Sequence, residues 1–568
     1  MLSPIRKNSN HREYRRRDNR SGFTLVATAC VLAAMYTATG CHRSGDAPRT
    51  TSTNSGAGDV QTREDLFDSA VETLMRIEEL CNLNKYNPPP IGARDQINRR
   101  LTAWVDTRDP PIAWEPTPNE TASRQMIERL NRWSPTHIDE IAWQAPSVTD
   151  ELPSQLQSLA NAASLAHPLF TPADARFLEL SVWLRDISDR AAAGQTDDLE
   201  RAEALFDWTV RNIQLVDDAA ETPAWHLPWQ TLLLGRGTKT ARAWVFILLA
   251  RQQGLPVVML ARADEKEADE SDGAPVDWLP ALLAEGQLYL FDTWLGLPIP
   301  GPGDQEVATL DDVIEDASLL ENLDLTQRRP YPVKSADLSH VVAYYEASPQ
   351  CLSRRMALLE SRLAADAKLV LTIRPNELVQ RLNDCRHVAE VRSWPHPYLA
   401  IQRAMTADRD ARQQAVEDLV PLMTPPMLWR GRLRHLRGRF EGERNAVTDY
   451  LEARTPDNQL ERLRVEDAVR DLLVESKQLA TYWLGLLSYE LGNYDAAISY
   501  LDRLTLEKWP EGPWTDGARY NLARTYEAMG DWQRAVELYE TDITTQLHGN
   551  RLRGKRLEAA HTGESNEP

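Results

Sequence analysis

Cysteine and histidine are scarce in this sequence, and their positions limit the chemistry that it can support. The chain of 568 residues has five cysteines and 11 histidines. No two cysteines have the C-x-x-C spacing, and no group of Cys and His has metal-ligand spacing. No Cys occurs between Cys81 and Cys351, and no His occurs between His226 and His340. We therefore expect neither a metal ion nor a cofactor.

The two cysteines of the C-terminal half, Cys351 and Cys385, allow two interpretations. They could form a disulfide in an oxidising compartment, or both could be buried free thiols. The sequence leaves these alternatives open.

Positive charge is also in short supply. The chain has 64 Lys and Arg against 84 Asp and Glu, which gives a formal net charge of -20. The first forty residues carry a local charge of +5, so the rest of the chain is near -25 (-20 minus 5). A surface of this sign repels phosphate groups, which excludes nucleic acid and anionic lipid surfaces as electrostatic partners.

Long apolar runs are absent except near the N-terminus. Basic residues at 6–20 precede the apolar stretch GFTLVATACVLAAMYTATG at 22–40, and Cys41 comes next. This order is typical of a secretory signal. The ending ATGC resembles a bacterial lipobox, although Ala38 replaces the usual Leu. We predict a signal peptide at 1–41, lipidation at Cys41, a flexible tether at 42–63, and an exported, membrane-anchored lipoprotein that faces the periplasm or the cell surface.

Two alternatives stay open for the same segment. RSGFTLV resembles a prepilin-type cleavage site, but Ala27 stands where that family carries Glu. The apolar stretch could also remain uncleaved as a membrane anchor of about 19 residues. All three interpretations place the bulk of the chain outside the cytoplasm.

The body of the chain carries patterns for several domains. Apolar residues at helical spacing predict a helical N-terminal region at 64–165 that packs on the downstream part of the chain. Residues 166–330 read as two amphipathic helices, a short strand, a buried central helix and three further strands. The central helix lies in LLLGRGTKTARAWVFILLARQQGLP, where Thr238 or Thr240 caps its start and Gly254 and Pro256 end it. A mixed connector is expected at 331–400.

The order of elements at 166–330 resembles a transglutaminase-like domain of the papain-like Cys-His-Asp superfamily. The resemblance rests on the helix before a Trp-bearing loop, the GRG turn, the GLP stop and the strands after it. It implies an α+β core in which a central buried helix lies on a small antiparallel sheet. The matching residues are Ala202, Leu205, Trp208, Val210, Asn212, Ile213, Gly235, Arg236, Gly237, Thr238, Leu248, Leu249, Arg251, Gly254, Leu255, Pro256, Trp278 and Asp292.

The resemblance also implies a reaction, and this sequence lacks two of its three residues. The family uses a thiolate at the helix N-terminus, a His beside it, and an Asp that orients the His. The Cys position falls on Lys239 and the His position on about Val276, whereas the Asp position is still occupied by an Asp, Asp292. Because Lys has the wrong charge for the positive end of a helix dipole, we expect no catalytic residues and a pseudoenzyme. The alternative is a hydrolase or acyl transferase with a site remodelled around Lys239, His226 and Asp292.

Residues 401–552 have a helical pattern with an internal repeat. ATYWLGLLSYELGNYDAAISYLDRL and ARYNLARTYEAMGDWQRAVELYETD correspond with a period of 38 residues. They resemble tetratricopeptide repeats, whose usual period is about 34, and the excess lies in the connection WPEGPW. A degenerate third repeat is expected at 437–454 and a disordered tail at 553–568. The signature residues, expected to be mainly structural, are Gly492, Tyr494, Ala497, Gly530, Trp532 and Ala535.

The sequence thus predicts a multidomain, mainly α protein with a transglutaminase-like α+β core and a C-terminal helical repeat array. Helical repeats usually bind protein segments, but they can also serve only to pack on their neighbouring domains. We predict an envelope-anchored binding or scaffold protein whose repeats contact a protein partner.

Overall fold

The computed structural model describes residues 56–76, 120–146, 152–217, 227–262, 279–303, 305–406, 418–423, 425–465 and 467–562. Within these ranges, no helix combines the length and the apolar content needed to cross a bilayer. The predicted signal with Cys41 and residues 42–55 of the predicted tether lie outside the described residues, as do His226, Val276 and Trp278. The expectation of a flexible tether was wrong for residues 56–63, which belong to the helix Gly56–Met75.

The described parts of the N-terminal region are mainly helical, as its apolar spacing predicts. Its side chains, among them Leu74 and Trp133, form one apolar cluster with residues further along the chain, among them Val182 and Met356. The region therefore packs on downstream parts of the chain, as predicted. Its elements are α1 (Gly56–Met75), α2 (Glu120–His137) and α3 (Ala162–Ala166), with 3-10 turns at Ile138–Glu140 and Gln157–Ala160.

Four helices form the helical layer of the central domain. A capping box between Thr171 and Asp174 starts the first, Asp197 caps the second, and Gly235 ends the third with a φ of 65°. Residues Ala241 to Ala250 of the fourth are all buried, which confirms a central helix enclosed on every side. These helices are α4 (Pro172–Ala191), α5 (Asp198–Asn212), α6 (Pro228–Leu234) and α7 (Lys239–Gln252).

A six-stranded sheet packs against α7. Its order is β6-β5-β4-β3-β7-β8, antiparallel except for the parallel pair β7-β8, and β1 and β2 form a separate parallel pair. Glu285 and Gly286, with φ of 51° and 79°, make the two-residue turn between β4 and β5. The strands are β1 (Gln214–Leu215), β2 (Arg236–Gly237), β3 (Val257–Arg262), β4 (Leu279–Ala284), β5 (Gln287–Asp292), β6 (Leu297–Pro298), β7 (Val341–Tyr345) and β8 (Val388–Ser393).

The predicted connector at 331–400 is part of the same sheet rather than a link after it. β7 pairs with β3 through Leu260 and Ala343, and β8 extends the sheet by one strand. Pairing between strands so far apart in sequence leaves no local signal. The helices between β6 and the C-terminal part are α8 (Leu310–Glu315), α9 (Ser318–Glu321), α10 (Ser335–Leu338), α11 (Arg354–Arg362), α12 (Pro375–Asn383) and α13 (His396–Thr406), with a 3-10 turn at Ala365–Ala367.

The C-terminal part is a stack of helices, which we call the repeat arm. Gly492 and Gly530 have φ of 70° and 80° and make the turns inside the two repeats, while Ala497 and Ala535 are buried at the helix contacts. The arm consists of α14 (Val420–Met423), α15 (Pro426–Leu436), α16 (Ala446–Ala453), α17 (Asp457–Arg462), α18 (Asp467–Glu490), α19 (Tyr494–Ile498), a π-helix at Ser499–Leu506, α20 (Thr515–Ala528), α21 (Trp532–Glu540) and α22 (Leu547–Thr562).

The expectation of a disordered tail from residue 553 was wrong for its first ten residues, which continue α22 to Thr562. Arg553 makes a double contact with Glu527, at 3.0 and 2.8 Å, and Leu552 is buried. The segment is polar enough to look unstructured, but these long-range contacts hold it as a helix.

The repeat arm and the central domain share one apolar core. A single cluster of buried side chains includes Trp183, Phe246 and Phe291 from the domain and Trp483 and Tyr539 from the arm. The arm therefore packs on the domain. This is one of the two roles that the sequence left open for the repeats, the other being the binding of a protein segment.

Cys351 and Cys385 are free and buried. The Cys351 thiol donates to the Ser348 carbonyl at 3.1 Å, and the Cys385 thiol donates to the Arg381 carbonyl at 3.4 Å. Burial raises the pKa of Cys351 to about 12. Of the two alternatives, a disulfide or two buried free thiols, the structure therefore shows the free thiols.

Candidate functional site

The first turn of α7 is the place where the resemblance puts a nucleophile. Thr238 is the N-cap, and its side chain accepts a hydrogen bond from the Ala241 amide at 3.2 Å. Lys239 is the first helical residue and is partly exposed. Thr238 therefore has the capping role, and a cation occupies the end of the helix that favours anions.

Asp292, at the end of β5, is an internal hydrogen-bond acceptor. One of its oxygens, Oδ1, accepts the amides of Trp294 at 2.7 Å and Leu295 at 3.0 Å, and Oδ2 accepts the Tyr331 hydroxyl at 2.6 Å. The residue is 5% exposed. Burial raises the pKa of Asp292, although these hydrogen bonds and the charge of Lys239 act in the opposite direction. Both carboxylate oxygens already have donors from this chain.

The structure brings Lys239 and Asp292 to the same place. The charge of Lys239 acts on the Asp292 carboxyl group, and the Thr293 hydroxyl donates to the Lys239 carbonyl at 2.8 Å. The third position of the family's site, Val276, and the alternative residue His226 lie outside the described residues.

Arg242 is the residue of this region whose role sequence reasoning missed. Its buried guanidinium donates to the carbonyls of Ile213 at 2.8 Å, Thr293 at 3.1 Å and Val210 at 3.3 Å. Burial lowers the pKa of Arg242 to about 10, so it stays charged at neutral pH. It joins α7 to the end of α5 and to the turn after β5. The signal for it was a charged residue inside the otherwise apolar run ARAWVFILLA.

The connection between the two repeats contacts the GRG turn directly before this site. Arg236 donates to the Pro513 carbonyl at 2.6 Å, and its guanidinium lies 3.9 Å from the centre of the Trp514 ring. Gln214 donates to the same carbonyl at 3.1 Å and accepts the Gly517 amide at 2.9 Å. The residues that lengthen the repeat period therefore dock the arm onto β1 and β2.

The inner face of the second repeat covers α5. Arg524 forms a salt bridge with Asp207, and Asn521 donates to the Arg211 carbonyl at 3.0 Å. Although burial raises the pKa of Asp207, Arg524 and Arg211 hold it well below its usual range. A second anchor is Glu490, which accepts from Trp208 at 3.2 Å.

The start of α22 closes on the turn directly after Asp292. A Cβ atom at Gly549 would overlap the Leu295 carbonyl group, so only glycine allows this approach. His548 contacts the Leu323 carbonyl at 2.7 Å, and its ring lies 5.1 Å from that of Trp294. The arm thus holds the segments on both sides of the Lys239–Asp292 pair, one before Lys239 and one after Asp292.

The outer tips of the repeats present apolar side chains. Leu491 and Met529, at equivalent positions next to the turn glycines, are 42% and 46% exposed. Tyr494 and Trp532 are partly exposed beside them. Among the described residues, no group of three or more His, Cys, Asp or Glu side chains is placed to hold a metal ion.

Comparison with known families agrees with this architecture. Residues 185–276 match the model of the transglutaminase-like superfamily. Residues 479–507 and 518–550 each match a tetratricopeptide repeat model. No curated protein matches the chain, and no solved structure does. The chain therefore contains a transglutaminase-like domain, whose matched stretch includes Lys239, and two tetratricopeptide repeats.

Proposed function

We propose that this chain is a non-catalytic binding or scaffold protein, anchored in the cell envelope by a lipid on Cys41. The observation that carries the non-catalytic part is the geometry at the start of α7. Lys239 stands where the family has its thiolate, and Asp292 has donors from this chain on both oxygens. An Asp whose oxygens are both bound in this way does not orient a His. A Lys at a helix N-terminus does not supply the anionic nucleophile that a thiolate supplies.

The competing function is an enzyme that uses Lys239. One observation favours it: the charge of Lys239 acts on the Asp292 carboxyl group. A Lys nucleophile would form a Schiff base with a carbonyl substrate, and borohydride would trap that adduct. We expect mass spectrometry of the borohydride-treated protein from its native envelope to find Lys239 unmodified. A trapped adduct on Lys239 that is lost in Lys239→Ala would establish the enzyme instead.

The partner is proposed to bind the outer tips of the repeats. Tetratricopeptide repeats generally mediate contacts between proteins, but here the inner face of the second repeat covers α5. Leu491 and Met529 are the exposed apolar side chains that recur in both repeats. Grouped apolar side chains on a surface mark contacts between proteins, and we infer such a surface from the recurrence of these two side chains.

Point substitutions test this surface better than deletion of the arm, because the arm shares its core with the central domain. We expect the double variant Leu491→Glu, Met529→Glu to lose the proteins that wild type captures from envelope extract. Leu169→Glu, at an exposed apolar residue outside the arm, is the matched control and should retain them. Equal capture by both variants would move the partner to another surface.

The anchor has a separate test. Cys41→Ala should release the protein from membranes, because the acyl chains would have no thiol to which they could be attached. Cys30→Ala, in the apolar stretch before the predicted cleavage, is the matched control and should stay bound. Retention of Cys41→Ala in the membrane fraction would favour the uncleaved anchor.

A further inference from the structure

The two edges of the six-stranded sheet differ in length and in cover. At one edge β6 has only two residues, ends at Pro298, and follows the turn that Gly549 of α22 approaches closely. At the other edge lies β8, a strand of six residues whose only partner among the described strands is β7. An edge strand presents backbone N–H and C=O groups that can pair with a further strand. β8 is therefore the edge at which this sheet can be extended.

The hydrogen bonds to β7 show which backbone groups of β8 point outward. The Trp394 amide, directly after β8, donates to the Tyr345 carbonyl at 2.8 Å. Successive residues of a strand direct their backbone groups alternately to its two sides. Arg392 therefore also bonds to β7, whereas the N–H and C=O groups of Val391 point away from β7 and toward the open edge.

Two opposite charges flank Val391. Glu390 lies beside Val342 and Arg392 beside Tyr344 in the parallel register, so both charged residues are on the same face of the sheet. Their side chains are 48% and 44% exposed and contact each other at 2.6 Å. A salt bridge as exposed as this one stabilises a protein by about 1 kcal/mol or less. Both charges are therefore available, at little cost, to a strand that pairs with β8.

A second copy of the chain supplies a strand with matching charges. In an antiparallel pair of two β8 strands centred on Val391, each Glu390 lies opposite the Arg392 of the other copy. The two Val391 residues then exchange both backbone hydrogen bonds, which their outward direction allows. Centring the pair on Glu390 would oppose two glutamates, and centring it on Arg392 would oppose two arginines. Because like charges directly opposite each other are destabilising, the order Glu-Val-Arg favours the register centred on Val391.

We propose that β8 is a self-association site through which two copies of this chain pair in antiparallel fashion about a two-fold axis at Val391. The contact joins the two six-stranded sheets into one continuous sheet. Both copies use the same surface, so assembly stops at the dimer, and each dimer carries two repeat arms. This proposal does not depend on the repeat surface, on the anchor or on Lys239.

Sedimentation velocity of the full-length chain in mild detergent tests the assembly itself. We expect a reversible equilibrium between monomer and dimer as the protein concentration rises, with no larger species. A chain that stays monomeric up to about 100 μM would overturn the proposal. Growth beyond the dimer would overturn it too, because a two-fold contact closes on itself.

Charge reversals test the register. Glu390→Arg leaves two positive charges beside Val391 and Arg392→Glu leaves two negative ones, so each variant alone opposes like charges. We expect each to dimerise at least about tenfold more weakly than wild type. An equimolar mixture of the two variants should form heterodimers about as tightly as wild type dimerises, because every cross-strand pair again has opposite charges.

The mixture separates the contact between copies from the salt bridge within one strand. The bridge between Glu390 and Arg392 is absent in both variants, so it cannot account for recovery in the mixture. Glu72→Arg and Arg76→Glu, at an exposed salt bridge of α1, change the net charge by the same amounts and should dimerise like wild type. A mixture that associates as weakly as its components would overturn the proposed pairing.

A proline tests the backbone bonds. Val391→Pro removes an N–H group that does not bond to β7, so the sheet of the monomer keeps its hydrogen bonds. We expect it to dimerise at least about tenfold more weakly than wild type, because both bonds donated by Val391 are lost. Val391→Ala keeps the N–H group and should dimerise within about threefold of wild type. Circular dichroism checks that both variants are folded, and wild-type dimerisation by folded Val391→Pro would overturn the proposal.

Discussion

The two ends of the central helix α7 have opposite surroundings. At its N-terminus, Arg242 donates to the Thr293 carbonyl, Asp292 accepts from the amide of Trp294, and the repeat arm holds the flanking segments. Along its C-terminal half, Trp244 and Leu248 face an apolar groove. In the family that this domain resembles, the N-terminal end carries the chemistry. Here the repeat arm holds the segments on both sides of that end, which we call the closed end, and the apolar groove is on the other half of the helix.

The largest effect is expected at the closed end, from Arg242→Ala. The substitution removes the donor from three buried carbonyl groups and leaves space in the core. We expect the free energy of unfolding to fall by about 3 kcal/mol, measured by chemical denaturation. Arg242→Lys should lose less, because a single ammonium group can still reach one of the carbonyls. A loss within about 0.5 kcal/mol for Arg242→Ala would contradict the closed network.

A smaller loss is expected from Tyr331→Phe, which removes the donor to Asp292 Oδ2. An oxygen of a buried carboxyl group without its donor costs about 1–3 kcal/mol, again measured by denaturation. Tyr526→Phe, at a partly exposed tyrosine of the arm, is the matched control and should change stability little. If both variants were equally stable, Asp292 would not be the structural acceptor that the geometry indicates.

The third prediction concerns the effect of pH on stability through His396, which contacts Trp244 of α7. His396 lies 5.0 Å from the ring of Trp394 and 5.4 Å from that of Trp244, and burial lowers the pKa of His396 to about 4. The unfolded chain then binds more protons between pH 6.5 and 4. The stabilisation is therefore complete above pH 6.5 and is lost as the pH falls through this window. His396→Phe should flatten this part of the stability profile, and a profile as steep as that of wild type would contradict the role of His396.

The smallest effect is expected on α5, the helix between the closed end and the arm. Burial, together with the charges of Glu306, Glu200 and Asp197, raises the pKa of Glu203 to about 7. The folded chain then binds more protons than the unfolded chain between pH 4.5 and 7. The contribution of Glu203 is therefore complete below pH 4.5 and is lost as the pH rises through 7. Glu203→Gln should raise the melting temperature at pH 8 and leave it unchanged at pH 4; the opposite pattern would contradict this.

The sequence predicts the local features of α7 and its surroundings well. The Thr cap, the GRG turn, the apolar helix and the strands after it all derive from periodicity and turn residues, and the structure confirms them. The turns at Gly492 and Gly530 are similarly local. Such features depend on residues within a few positions of each other.

Features that depend on distant parts of the chain escaped prediction. The stacking of Arg236 on Trp514 joins residues 278 positions apart (514 minus 236), and β7 and β8 join a sheet whose other strands end at residue 298. The continuation of α22 past residue 553 depends on Glu527. The apolar groove beside Trp244 and Leu248 combines residues from six separate segments, none of which has a binding motif of its own.

Hydrogen exchange of the amides of α7 tests most directly the claim that the repeat arm closes the N-terminal end of this helix. Arg524→Ala breaks the salt bridge to Asp207 on α5 without touching α7. We predict that exchange becomes faster in the first turns of α7, at 239–245, as well as in α5 and α20, because the three share one core. Faster exchange confined to α20, with α7 protected as in wild type, would contradict the claim and make the arm an independent domain.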